Sequence, residues 1–96
     1  MFVLIAKYKK PAEEVDRHLE AHKAWIKRNF DAGLFLLTAR QVPLVGGLIL
    51  ATGESEAQMR ELIAEDPFFT SGSAEYDVLE FDPVRSTPEL ESLIGS

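Results

Sequence analysis

Two kinds of hydrophobic pattern alternate along the chain. Met1 to Lys7 (Met-Phe-Val-Leu-Ile-Ala-Lys) is apolar without alternation, as in a central strand buried on both faces. Lys9, Lys10 and Pro11 end it. From Ala12 to Ala32 the period becomes helical. Val15, Leu19, Ile26 and Phe30 fall on one face, and His22 occupies the position between them. Pro11 suits the first turn, Glu13, Glu14 and Asp16 crowd the start, and Lys23, Lys27 and Arg28 crowd the end, as the helix dipole prefers. Gly33 stands where a helix commonly stops.

Leu34 to Ala39 predicts a second strand and Gly47 to Thr52 a third, again apolar without alternation. Ser55 with Gln58 forms a capping-box pattern that opens a helix over about Glu56 to Glu65, with Met59, Leu62 and Ile63 inward. Pro67 ends that helix, because the residue before a proline is pushed out of the α region. Phe68 to Ser73 is expected as a loop, and Glu75 to Phe81 as a strand whose acidic residues mark a sheet edge. Residues 1–83 form the expected domain, and residues 84–96 a polar tail in which Thr87 to Ile94 either makes a short helix or reaches onto a partner.

The order β-α-β-β-α-β is the split-βαβ arrangement of an α+β domain. Right-handed crossovers set strands one and three side by side and put both helices on one face of a four-stranded antiparallel sheet. Strands one to three are apolar on both sides, so the other face calls for a cover. A second copy packed sheet to sheet supplies one, and a homodimer is expected.

Composition narrows the function. The 96 residues are 46% hydrophobic and 27% charged, with no Cys. That length holds a single core. The longest apolar runs fall far short of the roughly 20 residues of a membrane span, and the N-terminus lacks a basic signal region. The Cys-free sequence excludes disulfides and thiolate chemistry and is compatible with a cytoplasmic location. Ten basic and sixteen acidic residues give a net charge of −6, which argues against nucleic acid as a partner. A small molecule or another protein remains.

His22 lies in an apolar helix stripe, where an unpaired polar group costs about 1–3 kcal/mol. It is either a hydrogen-bonded core histidine or a functional one. Asp66 lies at the end of the second helix, where the dipole is unfavourable for an anion, beside Pro67, Phe68 and Phe69. Either it caps local backbone N–H groups, as Asp-Pro commonly does, or an imidazolium compensates it. His22 and Asp66 both lie on helices of one sheet face. His18 and His22 have the spacing of a metal-chelating pair, but the segment lacks the Glu of a zinc-protease motif, and no metal is expected. Arg40, after the second strand, is either a surface charge or a ligand for an anionic substrate group. Gly46-Gly47 matches no phosphate loop, and Ser71 and Ser73 around Gly72 make no nucleophile elbow.

The opening Phe2-Val3-Leu4-Ile5, Arg17, Ala21-His22 ahead of Gly33, Gly46-Gly47, and Glu65-Asp66-Pro67-Phe68 followed by Gly72 together resemble the YciI-like proteins of the YCII-related domain family, over about residues 1–83. The helical His with the later Asp-Pro-Phe is the most specific part. The resemblance implies a ferredoxin-like dimeric α/β barrel and a catalytic pair formed by His22 and Asp66. It implies cofactor-free proton transfer on a small, aromatic or quinone-like molecule, of dehydrochlorinase or hydrolase type. The substrate pocket then draws on Arg40, Trp25, Phe68 and Ser73. The Arg40–Val45 connection and Ser73-Ala74 depart from the family pattern at the pocket rim.

Two functional expectations follow. In one, His22 is a general base held by Asp66. In the other, the chain is a non-catalytic homodimeric ligand-binding or assembly module in which the same two residues form a structural bridge.

Overall fold

The computed structural model describes residues 1–93. Its elements are β1 (Phe2–Tyr8), α1 (Ala12–Asp16), α2 (Leu19–Asp31), β2 (Phe35–Arg40), β3 (Gly46–Ala51), α3 (Glu56–Ile63), α4 (Pro67–Thr70) and β4 (Ala74–Glu80), followed by a 3-10 helix over Pro88–Leu93. The four strands form one antiparallel sheet in the order β2-β3-β1-β4. As expected, β1 and β3 are neighbours and β4 lies on an edge. Ile94, the last residue of the expected tail helix, lies outside the described residues.

One sheet face is closed by the helices. Phe2, Leu4 and Ala6 of β1, Ile49 and Ala51 of β3 and Tyr76 of β4 pack with Trp25 of α2 and Met59 and Ile63 of α3. The opposite face is open. The register sets Val3 against Leu50 and Leu79, Ile5 against Leu48, and Leu37 against Leu50, so these six apolar side chains share that face. Leu37 and Leu79 are more than half exposed.

The long helix expected from Ala12 to Ala32 is two helices. It breaks at Arg17–His18, where the His18 N–H donates to the Val15 carbonyl (3.0 Å) in a tight three-residue turn. No Gly or Pro marks this break in the sequence. Packing accounts for it. α1 delivers Val15 to a small cluster with Phe68 and Ala74, while α2 drops Trp25 into the main core. The buried face of α2 is centred on Trp25 and Asn29, and Phe30, expected inward, is exposed. The Trp25 ring buries more apolar area than Phe30 would, and the Asn29 side chain is satisfied by donating to the Trp25 carbonyl (3.0 Å).

Ser55 caps α3, its Oγ accepting from the Gln58 N–H (3.1 Å). The Gln58 side chain reaches back to the Glu54 N–H rather than to that of Ser55. The segment expected as a loop after Pro67 contains the helical turn α4, with Pro67 at its first position. No helix among the described residues is long and apolar enough to cross a membrane.

Candidate functional site

His22 projects from the buried side of α2, and Asp66 lies between α3 and α4. The two meet, with His22 Nδ1 2.7 Å from Asp66 Oδ1. The carboxylate is fully buried and has two further donors. The Phe68 N–H donates to Oδ1 (3.0 Å), and the Tyr76 hydroxyl donates to Oδ2 (2.6 Å). An ionised carboxylate accepts and does not donate, so it matches three donors converging on it. With Nδ1 donating to the carboxylate, the neutral tautomer of the ring carries its lone pair on Nε2.

Asp66 is also the N-cap of α4. The unfavourable dipole expected at the end of α3 is therefore corrected. The chain turns at Asp66, and the N–H groups of a new helix point back at it. Local capping and pairing with the imidazole, posed as alternatives by the sequence, both occur on the same oxygen.

Aromatic rings fix the imidazole. It lies parallel to Phe68 at 3.8 Å between centroids and 3° between planes, with Trp25 at 5.6 Å. An imidazolium formed here would face the π-cloud of Phe68, an attractive arrangement. Burial, with the Asp66 charge beside it, holds the Tyr76 phenol well above its ordinary range, so Tyr76 stays a neutral donor.

His22 opens onto a cavity of about 550 Å³. Its floor is formed by Ala6, Thr38, Ala39, Gly47, Leu48 and Ile49 of the sheet, and one wall by Leu19, His22, Lys23 and Ile26 of α2. Tyr8, Phe68, Tyr76 and Arg40 complete the lining. No buried side-chain nitrogen or oxygen among the described residues lacks a partner. Nε2 makes no hydrogen bond there, so it lies at an accessible surface, and His22 is one of the residues that line this cavity.

The structure brings together His22, Asp66, Phe68 and, across the cavity lining, Arg40. Two expected ligand contacts are placed elsewhere. Trp25 is fully buried, with its indole N–H donating to the Leu62 carbonyl (2.9 Å). Ser73 is also fully buried, its hydroxyl 2.7 Å from that of Ser71. Both stand behind the walls: Trp25 is drawn in by its large apolar ring, and Ser73 by its hydroxyl partner. Tyr76, Tyr8 and Lys23 were not singled out by the sequence reading. Tyr76 had a signal, because Ala74, Tyr76 and Val78 form the inward alternation of β4. Among the described residues, no group of three or more potential metal ligands gathers around His18 and His22.

The pattern of the YCII-related domain matches residues 1–82. The chain belongs to the YCII-related domain family. No curated protein matches it in sequence. Nine chains of solved structures match this YCII-related domain. One is the 5-chloro-2-hydroxyhydroquinone dehydrochlorinase of Burkholderia phenoliruptrix AC1100, solved in complex with 2,5-dihydroxybenzoquinone. It superposes with a TM-score of 0.67 at 17% identity, over 85% of this chain and 94% of the other. At that identity the likeness is one of fold, the α+β ferredoxin-like arrangement described above.

Proposed function

We propose that this YCII-related domain is a small enzyme in which the His22–Asp66 pair transfers a proton on a small, quinone- or phenol-like molecule. The observation that carries this reading is an imidazole fixed on one side by a buried carboxylate and open on the other to a ligand-sized cavity. A bridge that served the fold alone needs no accessible Nε2.

In the proposed step, Nε2 takes the proton of a ring hydroxyl. The O–H bonding pair forms a C=O bond, and the ring carbon that bears the leaving group takes the proton from the imidazolium, giving a keto tautomer with a tetrahedral C–Cl carbon. Nε2 then takes the proton of a second ring hydroxyl, whose O–H pair moves into the ring as the C–Cl bond breaks and chloride leaves with its pair. The imidazolium is stabilised by Asp66 through Nδ1–H and by the Phe68 face. The proton then passes from Nε2 to product or solvent, so loss of HCl needs neither oxidant nor cofactor. A positioned base of this kind contributes about 10²–10⁴-fold in rate.

The fold shared with a dehydrochlorinase that acts on a chlorinated hydroxyhydroquinone supports this chemistry. The test offers that compound and a panel of hydroxyquinols to the purified protein and follows chloride release and quinone absorbance. His22→Gln is expected to remove turnover. Turnover that survives this change undiminished refutes the assignment.

The open sheet face supports a homodimer as the working unit, its apolar side chains packed against the same face of a second copy. A cytoplasmic location is part of the same proposal and suits the Cys-free sequence.

A further inference from the structure

We infer that the cavity selects an organic anion, with Lys23 and Arg40 as the groups that choose it. The inference rests on the cavity being the substrate site, and it deepens that reading. The chain carries a net charge of −6 and sixteen acidic residues. Yet the cavity lining contains two cations, Lys23 and Arg40, and no Asp or Glu. An acidic protein whose ligand-sized cavity has only basic charges in its walls is charge-complementary to an anion.

Neighbouring acids do not cancel these cations. Lys23 lies 3.8 Å from Glu20, but that carboxylate is 92% exposed, and such a pair is screened and weak. The buried Asp66 is absent from the lining and is held by three donors. The apolar and aromatic parts of the wall, including Phe68, Leu19 and Ile26, fit the flat body of a ring. The ligand class is therefore a ring-sized carboxylate or ionised phenol or enol.

The placement also serves the proposed chemistry. When Nε2 removes a proton, the ligand becomes more negative. Lys23 and Arg40 line the same cavity as His22, so their positive charge favours the oxygen charge that develops there.

The test compares gentisate, a hydroquinone carboxylate, with gentisamide, its uncharged isostere, by isothermal titration calorimetry. Wild type is expected to bind the anion at least about tenfold more tightly, and Arg40→Gln and Lys23→Gln each to remove much of that preference. Raising the salt concentration is expected to weaken gentisate and leave gentisamide unchanged. Arg40 and Lys23 are both exposed, so neither change threatens the fold, and Arg85→Gln in the exposed tail serves as a charge-matched control. Equal affinity for the two ligands, no anion binding up to about 10 mM, or a preference undiminished in Arg40→Gln overturns the inference. The same titrations on His22→Gln separate the two ideas. Anion preference that persists in His22→Gln while the turnover assay reads none supports both ideas, whereas turnover that persists in His22→Gln strikes the catalytic reading and leaves the preference standing.

Discussion

Replacing Asp66 by Asn and by Ala separates the work of its shape from that of its charge. An Asn oxygen at the Oδ1 position still accepts from His22 Nδ1–H and Phe68 N–H. Its amide nitrogen then faces the Tyr76 hydroxyl, which must turn to accept and loses the partner for its own hydrogen. One unpaired buried donor costs about 1–3 kcal/mol. Ala removes every acceptor. The Phe68 N–H and the Tyr76 hydroxyl, both enclosed, are stranded, for a cost of about 2–6 kcal/mol, while the partly exposed His22 can turn to water. A domain of this size has about 5–14 kcal/mol in total, so Ala removes a large share of it and Asn about half as much. Urea titration followed by Trp25 fluorescence measures both midpoints, with an unchanged slope required for the comparison. Activity should order them differently: the neutral amide no longer stabilises the imidazolium, so Asp66→Asn is expected to be folded and at least about 10²-fold slower. If Asn destabilises as much as Ala, or if neither costs more than about 0.5 kcal/mol, the three-donor account of this carboxylate is wrong.

Tyr76 is raised above its ordinary range, so the folded state keeps a proton that the unfolded chain releases at about pH 10. Its contribution is fully present below that pH and is lost as pH rises above it. Thermal melts between about pH 8 and 11 should therefore fall more steeply for wild type than for Tyr76→Phe. A Cβ at Gly46 would overlap the Ala6 carbonyl oxygen of the adjacent strand, whereas one at Gly47 would meet only the Ala39 oxygen at 3.1 Å. Gly46→Ala should then cost about 3 kcal/mol in urea titration and Gly47→Ala clearly less. Leu79→Lys charges the open sheet face at a position already more than half exposed. It should leave monomer stability within about 0.5 kcal/mol and shift the sedimentation coefficient from dimer to monomer; an unchanged value would show that this face is not the contact.

Topology was readable because it depends on patterns that local sequence carries. The unalternating runs of β1 and β3, Gly33 at positive φ and the Ser55 cap all formed where the residue types placed them. The meeting of His22 with Asp66 was readable only as a demand, since an imidazole in an apolar stripe needs a partner. The break at Arg17–His18 was not readable. It is imposed by two separate clusters that α1 and α2 must each fill. Phe30 was expected inward for a related reason: helical phase counted from Val15 was carried through a turn that resets it. Helix α4 could have been found, because an Asp followed by Pro is an N-cap followed by a favoured first helical residue.

One oxygen of Asp66 both starts a helix and steadies an imidazole. Selection for folding alone would preserve this acid even in a descendant that had abandoned chemistry. In a lineage of such proteins, a retained aspartate therefore says little about activity. The histidine is the residue whose loss would record the change.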